Sequence, residues 1–176
     1  QAMAGLRSIM QSDPTDPDPP YYIARGLIQE GQDDIRLRGD HAAATDHYTQ
    51  AGATVDDAVR RQPGSPMILL RAGQVYALLD IAVPRSVSKG AYDQACAVYL
   101  DRARSLVRPQ DKDFEEVQST YASRKMQEHQ FSEAENVFRD LMQRYPADVK
   151  VRLLLAELLQ GKRETRKEAA DLLADT

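Results

Sequence analysis

The sequence has one cysteine, no tryptophan and an aromatic content of only 6% in 176 residues. A single thiol, Cys96, cannot close an intramolecular disulfide, so cross-linking cannot hold the fold together and the redox character of the compartment stays open. Long apolar runs are missing too. A membrane span needs roughly 18–20 consecutive apolar residues, and the longest candidate, residues 67–83, is broken by Arg71, Gln74 and Asp80. The first four residues lack the basic start and apolar stretch of a signal peptide and do not begin with Met, so the natural N-terminus is expected to lie upstream. Neither sign of charge dominates: 23 basic and 27 acidic residues give a net charge of −4 with the signs interleaved. That balance lacks the basic footprint of a nucleic-acid-binding protein.

Chemistry-bearing motifs are equally scarce. There is no glycine-rich phosphate loop, no metal-binding histidine pair and no cysteine pair. His41, His47 and His129 are scattered among polar residues and read as surface or packing histidines. Cys96, close to Ala95 and Tyr99, reads as a small packed apolar residue. Ser86 and Lys89 have the Ser-x-x-Lys spacing of penicillin-recognising enzymes, but Pro84 and Gly90 bracket them in a connection between helices, the wrong context for that chemistry. The basic run Lys162, Arg163, Arg166 and Lys167 is interrupted by Glu164 and Glu168 and reads as a solvated turn.

What the sequence does have is helix-forming composition, rich in Ala, Leu, Gln and Arg, and a recurring spacing. A small residue is followed by apolar residues four and seven positions on and by Pro five later. Ala134, Phe138, Leu141 and Pro146 fit it, as do Ala51, Val55, Ala58 and Pro63, and Ala2, Leu6, Ile9 and Pro14. Offsets of four and three return to one helix face, and Pro falls where the helix must end. Each copy therefore reads as the second helix of a hairpin with its exit turn.

First helices are expected between these copies. Residues 66–80 place Leu69, Ala72, Val75, Tyr76 and Leu79 at helical spacing, with Gly73 admitting a close partner helix. Further helices are expected over residues 21–37, 91–107, 114–127, from 133, over 149–159 and from about 166. Gly39 and Asp40 suit a turn, and residues 12–20, dense in Asp and Pro, read as an extended linker or turn. Ser132 with Glu135, and Thr165 with Glu168, match the reciprocal capping signal at helix starts, 33 residues apart.

Leu69, Ala72, Gly73 and Tyr76 in a first helix, with Ala134, Phe138 and Pro146 in a second, resemble the tetratricopeptide repeat family. Tyr121 and Ala122, and Leu155 and Ala156, stand at that family's Leu and Gly positions. The resemblance covers most of residues 21–176 and implies an all-α superhelix, a solenoid of about four stacked helical hairpins near 21–63, 66–109, 113–146 and 148–176. The first two are expanded by insertions. Residues 1–20 read as the end of an upstream repeat helix plus the Asp/Pro-rich linker. Both ends look truncated, and a piece of a longer chain is expected, since repeat arrays finish in polar capping helices.

The resemblance also implies function: a protein or peptide partner docked on the concave face lined by first helices. Carrying the family's groove positions over gives Met67, Leu70, Gln74 and Leu78, then Ser119, Ser123, Met126 and Gln127, then Lys150, Leu153 and Glu157. The alternative is that these residues pack against inserted segments of the same chain. On the docking reading, Leu70→Glu abolishes partner capture without unfolding. Family members that hold a terminal carboxylate use Lys, Asn and Arg of several first helices; the only asparagine, Asn136, is on a second helix, so that mode is not expected. No catalysis, cofactor, metal, nucleic acid or membrane insertion is expected. Two other roles remain open, an accessory region of a larger multidomain enzyme and a self-assembling module.

Overall fold

In a computed structural model, residues 2–161 and 163–174 are described, with the backbone alone for Ala2, Met3 and Arg163. Lys162, and the side chains of Ala2 and Arg163 invoked above, thus lie outside the described residues. Among the described residues every regular element is helical, and no helix is long and apolar enough to cross a membrane. The chain divides into two compact units, Gln1–Leu106 and Val107–Thr176.

The first unit holds α1 (Ala2–Ser12), α2 (Asp18–Asp33), α3 (His41–Arg61), α4 (Pro66–Ala82), the short α5 (Arg85–Ser88) and α6 (Ala91–Leu106). The pairs α2/α3 and α4/α6 are the hairpins, and α4 also packs on α2 and α3. Of the two readings of residues 12–20, an extended linker or a turn, the structure has the turn. Only a turn, closed by the Thr15 amide donating to Asp13 (2.9 Å), separates α1 from α2. Helix resumes at Asp18 because Pro19 and Pro20 fall in the first turn, where a helix has no use for their missing amide hydrogens. Both prolines are buried.

The extra dozen residues expected as an insertion in the first hairpin lengthen its helices instead. α2 runs on into a π-helical turn, Asp34–Arg38, and α3 extends over 21 residues. Gly39 then adopts φ +66°, a left-handed conformation cheap only without a Cβ, and Asp40 caps α3 by accepting from the Ala43 amide at 2.9 Å. The π-turn carries Asp34, 1% exposed, which would be costly alone. It is paired with Arg38 and accepts from His47 Nδ1 at 2.8 Å across the hairpin.

The core of the first unit follows the expected stripes. Leu69, Ala72, Val75 and Leu79 of α4 are wholly buried, and Ala51, Val55 and Ala58 of α3 nearly so. Each buried Leu or Val contributes about 1.5–3 kcal/mol relative to exposure. Gly73 lets α6 approach so closely that a Cβ there would lie 2.8 Å from Leu100 Cγ. Asp56 of α3 accepts from the hydroxyls of Tyr76 (2.9 Å) on α4 and Tyr99 (2.8 Å) on α6, tying three helices to one carboxylate. Burial first, and then the Asp56 hydrogen bond, pushes the Tyr99 phenol up to about 12, so it stays a donor. Arg102, out of place in an apolar stripe, is exposed and donates to the Pro63 carbonyl at 2.7 Å, closing the turn between α3 and α4. In the first copy of the spacing, Ile9 is 46% exposed on α1 and forms no complete seam.

The second unit holds α7 (Phe114–Gln127), α8 (Phe131–Arg144), α9 (Val149–Gln160), a 3-10 turn at Arg163–Thr165 and α10 (Arg166–Ala174). Ala134, Phe138 and Leu141 of α8, Ala122 of α7, Ala156 of α9 and Ala169 of α10 are all wholly buried. The α7–α8 corner corrects the expected Ser132/Glu135 cap. α7 ends with His129 left-handed (φ 60°), its amide donating to Met126 O and that of Gln130 to Lys125 O. This paired closure fixes Gln130 as the residue before the helix, so Ser132 lies inside the first turn of α8. At the other expected cap, the Thr165 hydroxyl donates to the Leu159 carbonyl (2.7 Å), and Glu168 takes Arg139 of α8 in a two-pronged pair at 2.6 and 3.0 Å. α9 has a true side-chain cap, Asp148, which accepts from Lys150 N (2.7 Å) and Val151 N (3.2 Å).

Candidate functional site

On α2 the buried stripe of Ile23, Leu27 and Ile28 faces its neighbours. Offset from it are Tyr22, Arg25, Gln29 and Gln32, at intervals of three, four and three residues, which line up along one face. Opposite them, α4 contributes Leu78 and Ile81. Together these six residues line a groove of about 480 Å³ within the first unit. Tyr22 is 49% and Ile81 80% exposed, so large apolar surface lies open beside polar amides.

One end of this groove is firmly built. Arg71 of α4 donates to Asp18 (3.1 Å) and to Gln74 (3.1 Å), and its guanidinium lies 5.2 Å from the Tyr21 ring centre. Arg25 sits over the same ring at 5.5 Å. The pairing sets α4 alongside the start of α2, and Leu78 and Ile81, seven and ten residues further along α4, reach the groove from there.

Of the first-unit positions expected from sequence, Leu78 lines the groove, while Met67 and Gln74 are half-buried nearby on α4. Leu70 is a correction: it is wholly buried in the packing of α4 and presents nothing to a partner. In the second unit Ser119 is corrected likewise. It is 3% exposed, and its hydroxyl donates to the Glu116 carbonyl of its own helix. Ser123 similarly donates to Ser119 O at 2.9 Å, and Met126 is half-buried. Gln127, Lys150, Leu153 and Glu157 are exposed, with Leu153 at 45%.

Tyr22, Arg25, Gln29 and Gln32 were not anticipated, because the repeat pattern is weakest over residues 21–57, and Ile81 lies one residue beyond the stretch 66–80 read as a first helix. The stripe of alternate threes and fours opposite the apolar face was the available signal. Cys96 is buried, as its reading as a packed residue requires. Ser86 and Lys89 are exposed on the four-residue α5 and its left-handed end.

Against solved structures, the chain is similar to a thermophilic TPR protein of Thermus thermophilus, 21% identical, with a TM-score of 0.52 over 90% of this chain and 89% of that one. The fold is that of tetratricopeptide-repeat proteins. No family model and no curated protein matches the sequence. In a tetratricopeptide-type hairpin the Gly73 and Ala134 positions are where helices approach, and here both admit close packing. The α2–α4 groove accordingly lies between the first helices of two successive hairpins.

Proposed function

We propose that this chain is a non-catalytic interaction module that holds a segment of a protein partner against its first helices. The observation that carries this reading is the α2–α4 groove, where Tyr22, Leu78 and Ile81 surround open space of about 480 Å³. Exposed apolar residues scattered singly mean little, whereas several gathered round a concavity mark a binding site. In the second unit, Leu153 with Lys150 and Glu157 on α9, and Met126 with Gln127 on α7, supply a mixed surface of the same kind. Met suits a docking face because its side chain adapts to irregular partners.

The test uses the intact chain as bait beside Ile81→Glu. A side chain 80% exposed tolerates that change without loss of fold. A protein retained by the native chain and lost from the variant supports the reading. Retention that is the same for both, or none above background, refutes a groove-bound partner. Light scattering that shows a dimer, dissolved by the same substitution, gives the groove to a second copy instead.

A further inference from the structure

The groove has a chemical polarity that specifies its occupant more narrowly. We propose, resting on the reading above, that it selects extended peptide segments carrying an aliphatic side chain and, within about three residues of it, a side-chain carboxylate that pairs with Arg25.

Among the described lining residues Arg25 is the one charged side chain. The acidic residues of α2 are already engaged: Asp18 with Arg71, Glu30 with His47, and Asp33 with both Gln29 and Arg36. Among the described residues Arg25 has no ion pair, and its guanidinium is held by the Tyr21 ring with its donors left for an acceptor. A guanidinium presents its donors in a planar fork that matches a carboxylate, and a charge-assisted hydrogen bond is about twice as strong as a neutral one. The sign of the site is therefore set for an acidic group, although the chain as a whole is acidic.

Spacing follows from helix geometry. Arg25 and Gln32 are seven residues apart on one face, about 10 Å at 1.5 Å per residue, and an extended chain covers that distance in about three residues. Leu78 and Ile81 of α4 line the same groove as Arg25 and Gln32. Gln32 offers amide donors and an acceptor of the kind that read a main chain. An aliphatic anchor against Leu78 and Ile81 thus keeps a carboxylate beside Arg25 within about three residues of it.

Selection of random heptapeptides, displayed with their C-termini fused so that no terminal carboxylate is free, tests this on the intact chain. Enriched peptides should carry Asp or Glu within three positions of Leu, Ile, Val or Met. The same selection on Arg25→Glu should replace the acid with Lys or Arg. A labelled peptide from the native selection should bind about tenfold more weakly, by fluorescence anisotropy, when its acid is changed to Lys, and Arg25→Glu should restore that loss. Circular dichroism confirms that the variant, altered at an exposed position, keeps its helices. Enrichment with no preference for acid, or a preference unchanged by Arg25→Glu, overturns the proposal and leaves the groove as a peptide site. No enrichment at all overturns both.

Discussion

At the scale of single residues, the difference between Leu70 and Ile81 decides what a mutation on α4 reports. Both are aliphatic residues of one helix, but Leu70 is fully buried and Ile81 is 80% exposed. Leu70→Ala should cost about 2–5 kcal/mol, the transfer term plus the cavity left behind, read as a lowered urea midpoint. Leu70→Glu would bury an unpaired carboxylate and should lose helical circular dichroism, so it reports folding and not docking. Ile81→Glu should stay within about 0.5 kcal/mol of the native stability. Gly73→Ala sets two effects against each other. Alanine gains about 1 kcal/mol of helix propensity, but its Cβ would stand 2.8 Å from Leu100 Cγ and Cδ2, and overpacking costs about 1–3 kcal/mol. Leu100 is itself buried at 4% exposure, with little room to yield, so the substitution should be net destabilising in the same urea titration. Gly73 was legible in the sequence as a close approach because a glycine amid an apolar stripe has few other reasons to be there. Leu70 misled because α4 packs on α2, α3 and α6, so helix phase alone does not tell which of its positions stay open to a partner.

At the scale of helices, legibility depended on whether the signal was a stripe or a terminus. Stripes such as Leu69–Ala72–Val75–Leu79 are fixed by their own spacing. Ends depend on the preceding element: the left-handed His129 places the start of α8 before Ser132 could cap it. The start of α9 gives a prediction of its own. Asp148 caps α9, and Glu115 in the first turn of α7 shares a hydrogen bond with it. That bond, with burial next, raises Glu115 to about 6, while Asp148 is held below its usual value by the same bond. A carboxyl whose pKa is higher folded than unfolded favours the folded state when protonated. Its contribution is fully present below the unfolded value near 4.5 and is lost as pH rises through about 6. Thermal melts at pH 7 and pH 5 should therefore show a gain on acidification in the native protein. Glu115→Gln, which keeps a donor to Asp148 at every pH, should reduce that gain. An equal pH response in the two proteins would remove the shared proton from the account.

At the scale of the whole molecule, the relevant fact is that contacts gather into two units that meet in sequence at Leu106 and Val107. Helical-hairpin proteins draw stability from each pair and its neighbours, so a unit keeps what its own helices bury. Gln1–Leu106 has the larger share: two complete hairpins, the wholly buried Leu69, Leu70, Val75 and Leu79, and the tyrosine pair on Asp56. Val107–Thr176 lies at the lower edge of the ~70–80 residues below which one hydrophobic core rarely supplies more than a few kcal/mol. It has no disulfide to compensate, because the single cysteine is in the other unit. Produced alone, residues 1–106 should keep a helical spectrum and melt cooperatively. Residues 107–176 alone should melt at a lower temperature and over a broader range, with Arg139→Ala lowering it further by removing the pair that joins α8 to α10. Circular dichroism melts of both fragments check this ordering. Because the α2–α4 groove is built entirely within the first unit, residues 1–106 should also retain the acidic-peptide preference of the intact chain. Loss of helix from that fragment would mean that its core needs more than its own helices.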